Sequence, residues 1–453
     1  MTINVIEFLK KKGYSTISAD WFKRVDLWLD WYAGDTEFHR YQIYNGREYL
    51  PRQRKTLKMA KKIAEDKADL LLNEKVEIIT KEQDYLDGVL DANAFWTAGN
   101  QLVEFAAASG TGAFVEYLEN GEPRIDFVQA KCIYPLTWRN GEITGCAFAS
   151  QVGENLTYIN IHAREKGKYV VYNYYVEGDT KEVALPEGML PVWNTKRAAP
   201  LFQIVKLNIA NNFEPLNPMG ISAFANSIDT LESLDLIYDS YFNEFKLGKK
   251  RVFVNDSMLK IDVSTGKSVP VFDSNDTEFY GLPGEAADDI AKNLQELNGV
   301  LRFEAHRAAL QDNLDLLSDK VGFGRGYYKF DSDGVKTATE VISANSKLFR
   351  KIKRDEIILE KALTDMVRAL LFLGKKKEDA EINISFDDSI IEDTDAEAKR
   401  ALLELGAGVI DRIIYHQRVY NLTEEAATKL VSEMDARAPA MPDFTLGGDG
   451  GDG

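Results

Sequence analysis

Cysteine and histidine are scarce in this chain of 453 residues, which holds two cysteines and four histidines. Cys132 and Cys146 could pair across a hairpin, but two reduced thiols are the expectation, because disulfide frameworks use several cysteine pairs. The histidines lack the short spacings of metal ligands, so we expect ordinary surface or core residues. They are His39, His162, His306 and His416. The sequence also lacks a Walker loop, a nucleophile elbow and a zinc-binding pair, so we predict no catalytic residues, no metal and no cofactor.

Long apolar runs and an excess of basic residues are missing too. No run approaches the roughly 20 apolar residues that span a bilayer. The first residues, 1–5, lack the basic flank and apolar core of a signal peptide, so we expect synthesis in a reducing cytoplasm. The net charge is −17, whereas proteins that grip DNA phosphates are usually basic. This charge disfavours a repressor or a nuclease, but not a conduit for sliding DNA, which needs few phosphate contacts.

The length of the chain favours two or three modules, and its hydrophobic periodicity predicts a mixed α+β protein. In the first half it indicates three helices, followed by an antiparallel β region with short turns. The helices are expected at about 18–31, 53–73 and 81–107, and the β region at 110–210. Ser18 is the expected cap of the first helix.

The second half is dominated by long helices around a small mixed segment. One helix is expected from near Ser222 to Gly248, a second at 305–319, and a very long third from Thr337 to Gly374. The mixed segment between the first two is expected to contain strands at 251–255, 269–272 and 300–304 and a helix at 286–298. After the third helix we expect a strand at 381–386, helices at 395–407 and 423–436, and a disordered tail.

Two further patterns share some features with ligand sites but lack others. Gly322, Gly324 and Gly326 lie two residues apart and follow a helix rather than a strand, so a flexible loop is favoured over a nucleotide site. The acidic cluster at 387–395 could bind a divalent cation, but it lacks the spacing and the central glycine of a calcium loop. A solvated acidic turn is the expected interpretation.

The order of helix, small insertion, helix, glycine-rich loop and very long helix resembles that of portal proteins from tailed bacteriophages. Five stretches of sequence are similar to portals from phages of Gram-positive bacteria. They are Ser222–Asp229, Tyr238–Ser240, Asn243–Arg251, Thr337–Ser343 and Phe386–Ile391. The likeness spans about 50–436 and is strongest from 216 to 395.

The resemblance implies a ring-forming portal fold with named parts. It implies a β-rich wing at 1–221, a stem helix at 222–250, a small α/β clip at 251–304 and a second stem helix at 305–320. It further implies a tunnel loop at 321–336, a long helix at 337–374, a helical crown at 375–440 and a disordered tail at 441–453.

The resemblance also implies site residues and partners. The tunnel loop would present Gly322, Phe323, Gly324, Arg325, Gly326, Tyr327, Tyr328 and Lys329 to the channel. The stem would add Lys246, Lys249 and Lys250, although charge at a helix end explains the last two as well. Implied partners are a homo-oligomeric ring, dodecameric in the virion, double-stranded DNA, the terminase large subunit, a head-completion or adaptor protein, and the major capsid and scaffolding proteins. The implied location is the portal vertex of a virion assembled in the bacterial cytoplasm, without a membrane.

Two alternatives remain open at this point. One is another minor capsid structural protein, which would not need two stem helices around a clip. The other is a metal-dependent nucleic-acid hydrolase that uses the carboxylates at 387–395.

Overall fold

The computed structural model describes residues 5–44, 46–73, 76–178, 180–247, 301–329, 338–378, 381–386, 394–420, 422 and 424–437, together with five strands between 251 and 297. By contacts the chain divides into two compact units, residues 1–386 and 387–453. No helix in the described ranges is both long enough and apolar enough to cross a bilayer.

Five helices occur in the N-terminal part of the first unit. They are α1 (Val5–Lys11), α2 (Ala19–Ala33), α3 (Met59–Leu71), α4 (Gln83–Ala92) and α5 (Phe95–Ser109). The prediction for α2 is confirmed, because Ser18 accepts a hydrogen bond from the amide of Asp20 at 3.2 Å. Its tryptophans Trp21, Trp28 and Trp31 are buried, which is the packing role that a helical stripe of aromatic residues indicates.

Two of the predicted helices have different bounds. The helix expected at 53–73 begins only at Met59, because Tyr49–Gln53 (β2) pairs with Arg40–Tyr44 (β1) in a hairpin. The helix expected at 81–107 divides into α4 and α5 at Asn93 and Ala94. Ala94 has a left-handed backbone with φ of 46°, which interrupts the helical path.

The predicted antiparallel β region is confirmed. Its strands are β4 (Gly112–Glu119), β5 (Glu122–Gln129), β6 (Ile133–Arg139), β7 (Glu142–Gln151), β8 (Leu156–Glu165), β9 (Lys168–Glu177), β10 (Lys181–Val183), β11 (Val192–Asn194) and β12 (Phe202–Val205), while β3 (Glu77–Thr80) precedes them. The larger sheet has the order β10-β9-β8-β7-β6 with β11 beside β9, and the smaller one has the order β12-β4-β5. Helix α1 places Phe8 and Leu9 in a core with Ile159 and Val176 of the larger sheet.

Three long helices follow. They are α6 (Ile228–Leu247), α7 (Phe303–Val321) and α8 (Ala338–Leu373). Helix α6 begins six residues later than expected, after a short 3₁₀ turn at Ala225–Ser227. The expected C-terminal residue Gly248 lies outside the described part of the chain.

A small sheet lies between α6 and α7 in the chain. Its strands are β13 (Arg251–Asn255), β16 (Glu278–Leu282) and β17 (Leu294–Leu297), and a separate pair is formed by β14 (Lys260–Ile261) and β15 (Ser268–Val269). Strand β13 is central, parallel to β16 and antiparallel to β17. The prediction at 251–255 is confirmed, and the strand expected at 269–272 contains only Val269 of the observed β15. The strand expected at 300–304 is wrong, because α7 begins at Phe303. The helix expected at 286–298 is wrong over 294–297, and its earlier part lies outside the described residues.

The last strand of the first unit pairs with a strand near the start of the chain. Strand β18 (Ile382–Ser385) pairs antiparallel with β3, so a sheet joins residues about 300 positions apart. Helix α8 stops at Leu373, and the left-handed residue just after it is Lys375, with φ of 56°. Gly374 is needed for a different reason, because a Cβ there would clash with the hydroxyl of Tyr85.

The second unit contains three described helices. They are α9 (Thr394–Gly406), α10 (Arg412–Tyr420) and α11 (Glu424–Arg437). The two predicted helices are confirmed as α9 and α11, and α10 was missed. The expected disordered tail, 441–453, lies outside the described residues.

Candidate functional site

Helices α6 and α7 run antiparallel and are joined by ion pairs at both ends. Near the end of α6, Glu244 accepts hydrogen bonds from Arg302 Nε at 3.1 Å and Nη2 at 2.8 Å. At the other end Lys320 of α7 donates to Asp229 at 3.1 Å. The hydrogen bonds from Arg302 lower the pKa of Glu244 to about 2. The small sheet therefore connects the two helices at their Glu244–Arg302 end.

This helix pair also carries apolar side chains that the single chain leaves exposed. Five of them are between 44% and 49% exposed. They are Leu236 (49%), Phe242 (46%), Phe245 (47%), Phe303 (44%) and Leu316 (44%). Exposed apolar side chains on two packed helices are candidates for a contact with another subunit.

The three predicted stem cations can be placed only in part. Lys246 is exposed in the last turn of α6. Lys249 and Lys250 lie outside the described residues.

The glycine-rich segment after α7 begins as a helix cap. Gly322 has φ of 90°, a left-handed conformation that favours glycine. Its amide donates to the carbonyl of Asp319 at 3.2 Å, and the amide of Phe323 donates to that of Ser318 at 2.9 Å. The loop thus leaves α7 in a fixed direction.

Two aromatic residues anchor this loop to α3. Phe323 and Tyr328 are buried, with ring centroids 5.9 Å apart. The hydroxyl of Tyr328 donates to Asp66 Oδ2 at 2.9 Å. The ammonium group of Lys67 lies 4.8 Å from the centre of the Phe323 ring. Part of the predicted flexible loop is therefore packed in the core.

The remaining predicted loop residues divide by exposure. Arg325, Tyr327 and Lys329 are exposed, whereas Gly324 is buried and Gly326 is half-buried. The rest of the predicted loop, 330–336, lies outside the described residues. The structure thus brings the predicted residues together in one segment but leaves only three of their side chains facing outward.

A buried ion pair lies beneath the loop and ties α3 to α8. Lys67 and Asp355 are almost fully buried, with Nζ 3.5 Å from Oδ2. The other carboxylate oxygen of Asp355 accepts a hydrogen bond from the amide of Asn208 at 2.9 Å. Burial lowers the pKa of Lys67 to about 8, against the opposing charge of Asp355.

Helix α8 carries a group of cations, which we call the basic strip, that is not among the residues predicted from the sequence. It consists of Lys347, Arg350, Lys351 and Arg354, which together line one shallow surface depression. Their spacing of three and four residues places them on one face of the helix. The signal was present in the sequence, because 347–354 holds five basic residues and no acidic one in a chain of net charge −17.

Each of the four histidines contacts other side chains of the chain. His39 is buried, with Nε2 2.8 Å from Asp235 Oδ2, and His306 lies 3.7 Å from Glu244. Burial lowers the pKa of His162 to about 3, and His416 stacks on Tyr420. Cys132 and Cys146 are unpaired.

No cluster of three metal-ligating side chains occurs among the described residues. Most of the acidic cluster, 387–393, is not among them, and neither is the side chain of Asp395.

Comparison with known proteins assigns the chain to a family. The family model described as phage portal protein, SPP1 Gp6-like, matches residues 13–439. No curated protein sequence matches the chain.

Solved structures are similar over much of the length at low sequence identity. One, the neck of a native GTA particle computed with C12 symmetry, is 11% identical, with a TM-score of 0.41 over 80% of this chain and 89% of that one. Another, the virion of a native gene transfer agent particle, is 13% identical, with a TM-score of 0.41 over 80% and 88%. A third, the neck of an empty GTA particle computed with C6 symmetry, is 11% identical, with a TM-score of 0.44 over 90% and 96%.

Proposed function

Because the chain belongs to the SPP1 Gp6-like family of phage portal proteins, we propose that its subunits form a ring whose channel carries double-stranded DNA into and out of the capsid. The protein is a structural component of the virion and acts as the portal at a capsid vertex. The family match over 13–439 is the observation that carries this proposal.

The parts of the portal are proposed from the observed elements. Helices α6 and α7 are the stem, and the sheet between them is the clip. The segment at 321–336 is the tunnel loop, and α8 is the long helix. The wing comprises the helices and sheets before α6. We propose that the crown begins after Phe386 rather than at 375, because β18 pairs with β3 inside the first unit.

The exposed apolar surface of the proposed stem supports a ring. The exposed leucine and phenylalanine side chains of α6 and α7 need a cover, and an identical neighbour supplies one at every position around a ring. Short clip strands, marginally stable in isolation, gain further from pairing with strands of a neighbour. We propose twelve-fold assembly in the virion.

The proposed partners are those that a conduit at a capsid vertex requires. They are the terminase large subunit, which drives DNA inward, a head-completion or adaptor protein, and the major capsid and scaffolding proteins. The clip and the wing are the surfaces proposed for these contacts. Assembly takes place in the bacterial cytoplasm.

Negative-stain electron microscopy of the purified full chain, together with mass measurement, tests the proposal. We expect rings with a central hole, although the number of subunits in isolated rings can differ from that in the virion. Only monomers or dimers at high protein concentration would contradict it.

A further inference from the structure

The basic strip on α8 is a compact line of positive charge. From Lys347 to Arg354 the helix rises about 10 Å. One strand of B-DNA carries about one phosphate per 3.4 Å, so roughly three phosphates span the same length. Four cations on one helix face therefore match the charge density of one DNA strand.

The carboxylates beside Lys347 and Lys351 leave the positive charge of these two lysines in place. The pair between Lys347 and Asp319, at 3.3 Å, has exposed fractions of 65% and 42%, so it is a weak surface contact. The carboxylate of Asp355 is already bound by Lys67 and by the amide of Asn208. Burial lowers the pKa of Lys351; the charge of Asp355 opposes that change, and the charge of Arg354 adds to it.

The strip borders the tunnel loop. A Cβ atom at Gly322 would lie 3.0 Å from Cγ of Lys351, so the lysine side chain covers the first residue of the loop. Arg325 and Lys329 are exposed a few residues further along. The loop cations and the strip thus belong to neighbouring segments of one chain.

We infer that the basic strip of α8 binds the phosphodiester backbone of double-stranded DNA next to the tunnel loop. This inference rests on the proposed function, because DNA reaches the strip only if it passes the loop. Contacts to phosphate carry no sequence information, so they suit DNA that slides. Because the rest of the chain is strongly acidic, such contacts are confined to a few places and DNA is released easily.

Binding of a short DNA duplex by the full chain at a series of salt concentrations tests the inference. The variant Lys347→Gln/Arg350→Gln removes two charges from the strip. The control, Lys361→Gln/Arg368→Gln, removes two charges from the same helix, where the side chains are 61% and 47% exposed. We expect the strip variant to bind DNA about tenfold more weakly at moderate salt. The slope of the logarithm of its binding constant against the logarithm of the salt concentration should fall in magnitude by about 1 for each phosphate that is no longer neutralised. The control should bind like the parent.

A labelling experiment on the unmutated chain does not depend on how the variants fold. DNA should protect Lys347 from an amine-reactive reagent and leave Lys361 accessible. Equal protection of both lysines, or equal DNA binding by the strip variant and the control, would overturn the inference.

Two other outcomes are distinguishable. If the strip variant loses rings that the control retains, the strip contacts an acidic surface of a second copy of the chain, and the inference is wrong. If the parent forms no rings, the proposed function fails, while the protection of Lys347 still decides whether the strip binds DNA.

Discussion

At the scale of single residues, Glu116 is a carboxyl group buried in the first unit. It is 1% exposed on β4, and its carboxyl group accepts a hydrogen bond from Gln203 at 3.3 Å. Burial raises the pKa of Glu116 from 4.5 to about 8, although Arg197 opposes the change. The folded chain therefore holds a protonated carboxyl group near neutral pH.

This protonation predicts a pH-dependent stability. Between pH 4.5 and 8 the folded state binds more protons than the unfolded state, so the free energy of unfolding falls as the pH rises. The slope from this group approaches about 1.4 kcal/mol per pH unit and vanishes above pH 8. Glu116→Gln should remove this part of the slope and stabilise the chain at pH 8 relative to the parent. Urea denaturation across this pH range measures both effects.

The control is Glu119→Gln at the exposed end of the same strand, where the side chain is 55% exposed. It should keep the slope of the parent. Identical slopes for Glu116→Gln and the parent would show that Glu116 is not protonated in the folded state.

Burial at this scale was only partly predictable from the sequence. The tryptophans of α2 follow a helical stripe, so their burial could be read from spacing. The glycines at 322–326 indicated a loop, but the burial of Tyr328 depends on Asp66, which lies 262 positions away in the chain. Local patterns carry no information on such a partner.

At the scale of elements, periodicity located the long helices and the β region but not the break between α4 and α5. Asn93 explains this failure. Its side chain donates to the carbonyl of Val89 at 2.7 Å and accepts from the amide of Ile125 at 3.0 Å. The helix is interrupted at the residue whose side chain bonds to β5. The intrinsic helix propensities of residues 81–107 do not predict this contact, because β5 lies outside that range.

The anchoring of the tunnel loop to α3 gives a prediction with a neighbouring control. Tyr328→Phe removes the hydrogen bond to Asp66 but keeps the ring in the core. We expect a loss of about 1–2 kcal/mol in the free energy of unfolding, because one oxygen of the Asp66 carboxylate loses its donor while the other keeps Lys62. Tyr327→Phe should have little effect, since that side chain is 38% exposed. Thermal denaturation of both variants measures the difference.

Equal stability of the two tyrosine variants would mean that the hydroxyl of Tyr328 does not hold the loop. Limited proteolysis gives a second readout, because a released loop should be cleaved faster near Arg325 and Lys329. A loop held only by Phe323 would be cleaved at the same rate in both variants.

At the scale of the whole molecule, the order of elements was more informative than composition. Composition predicted only an acidic chain without catalytic motifs, whereas the succession of α6, small sheet, α7, loop and α8 indicated the portal family that the match over 13–439 confirms. The basic strip was overlooked because a sum over the chain hides a local excess of five cations at 347–354. Net charge is an average over the chain, whereas a local run of charge marks a candidate site for an oppositely charged ligand.

Assembly into a ring is a property of the whole molecule, and the exposed apolar residues of α6 and α7 make it testable. Leu236→Glu places a charge on the apolar surface of α6, where the leucine is 49% exposed. Covering a leucine contributes about 1–2 kcal/mol, and burying an unpaired carboxylate costs more. Because a ring repeats each contact in every subunit, we expect rings to dissociate into small species by mass photometry. Leu216→Glu, at a side chain that is 89% exposed outside the stem, should leave rings intact. Rings that persist in the Leu236 variant would locate the contact between subunits on another surface, and loss of rings in both variants would show a general effect of added negative charge on an already acidic chain.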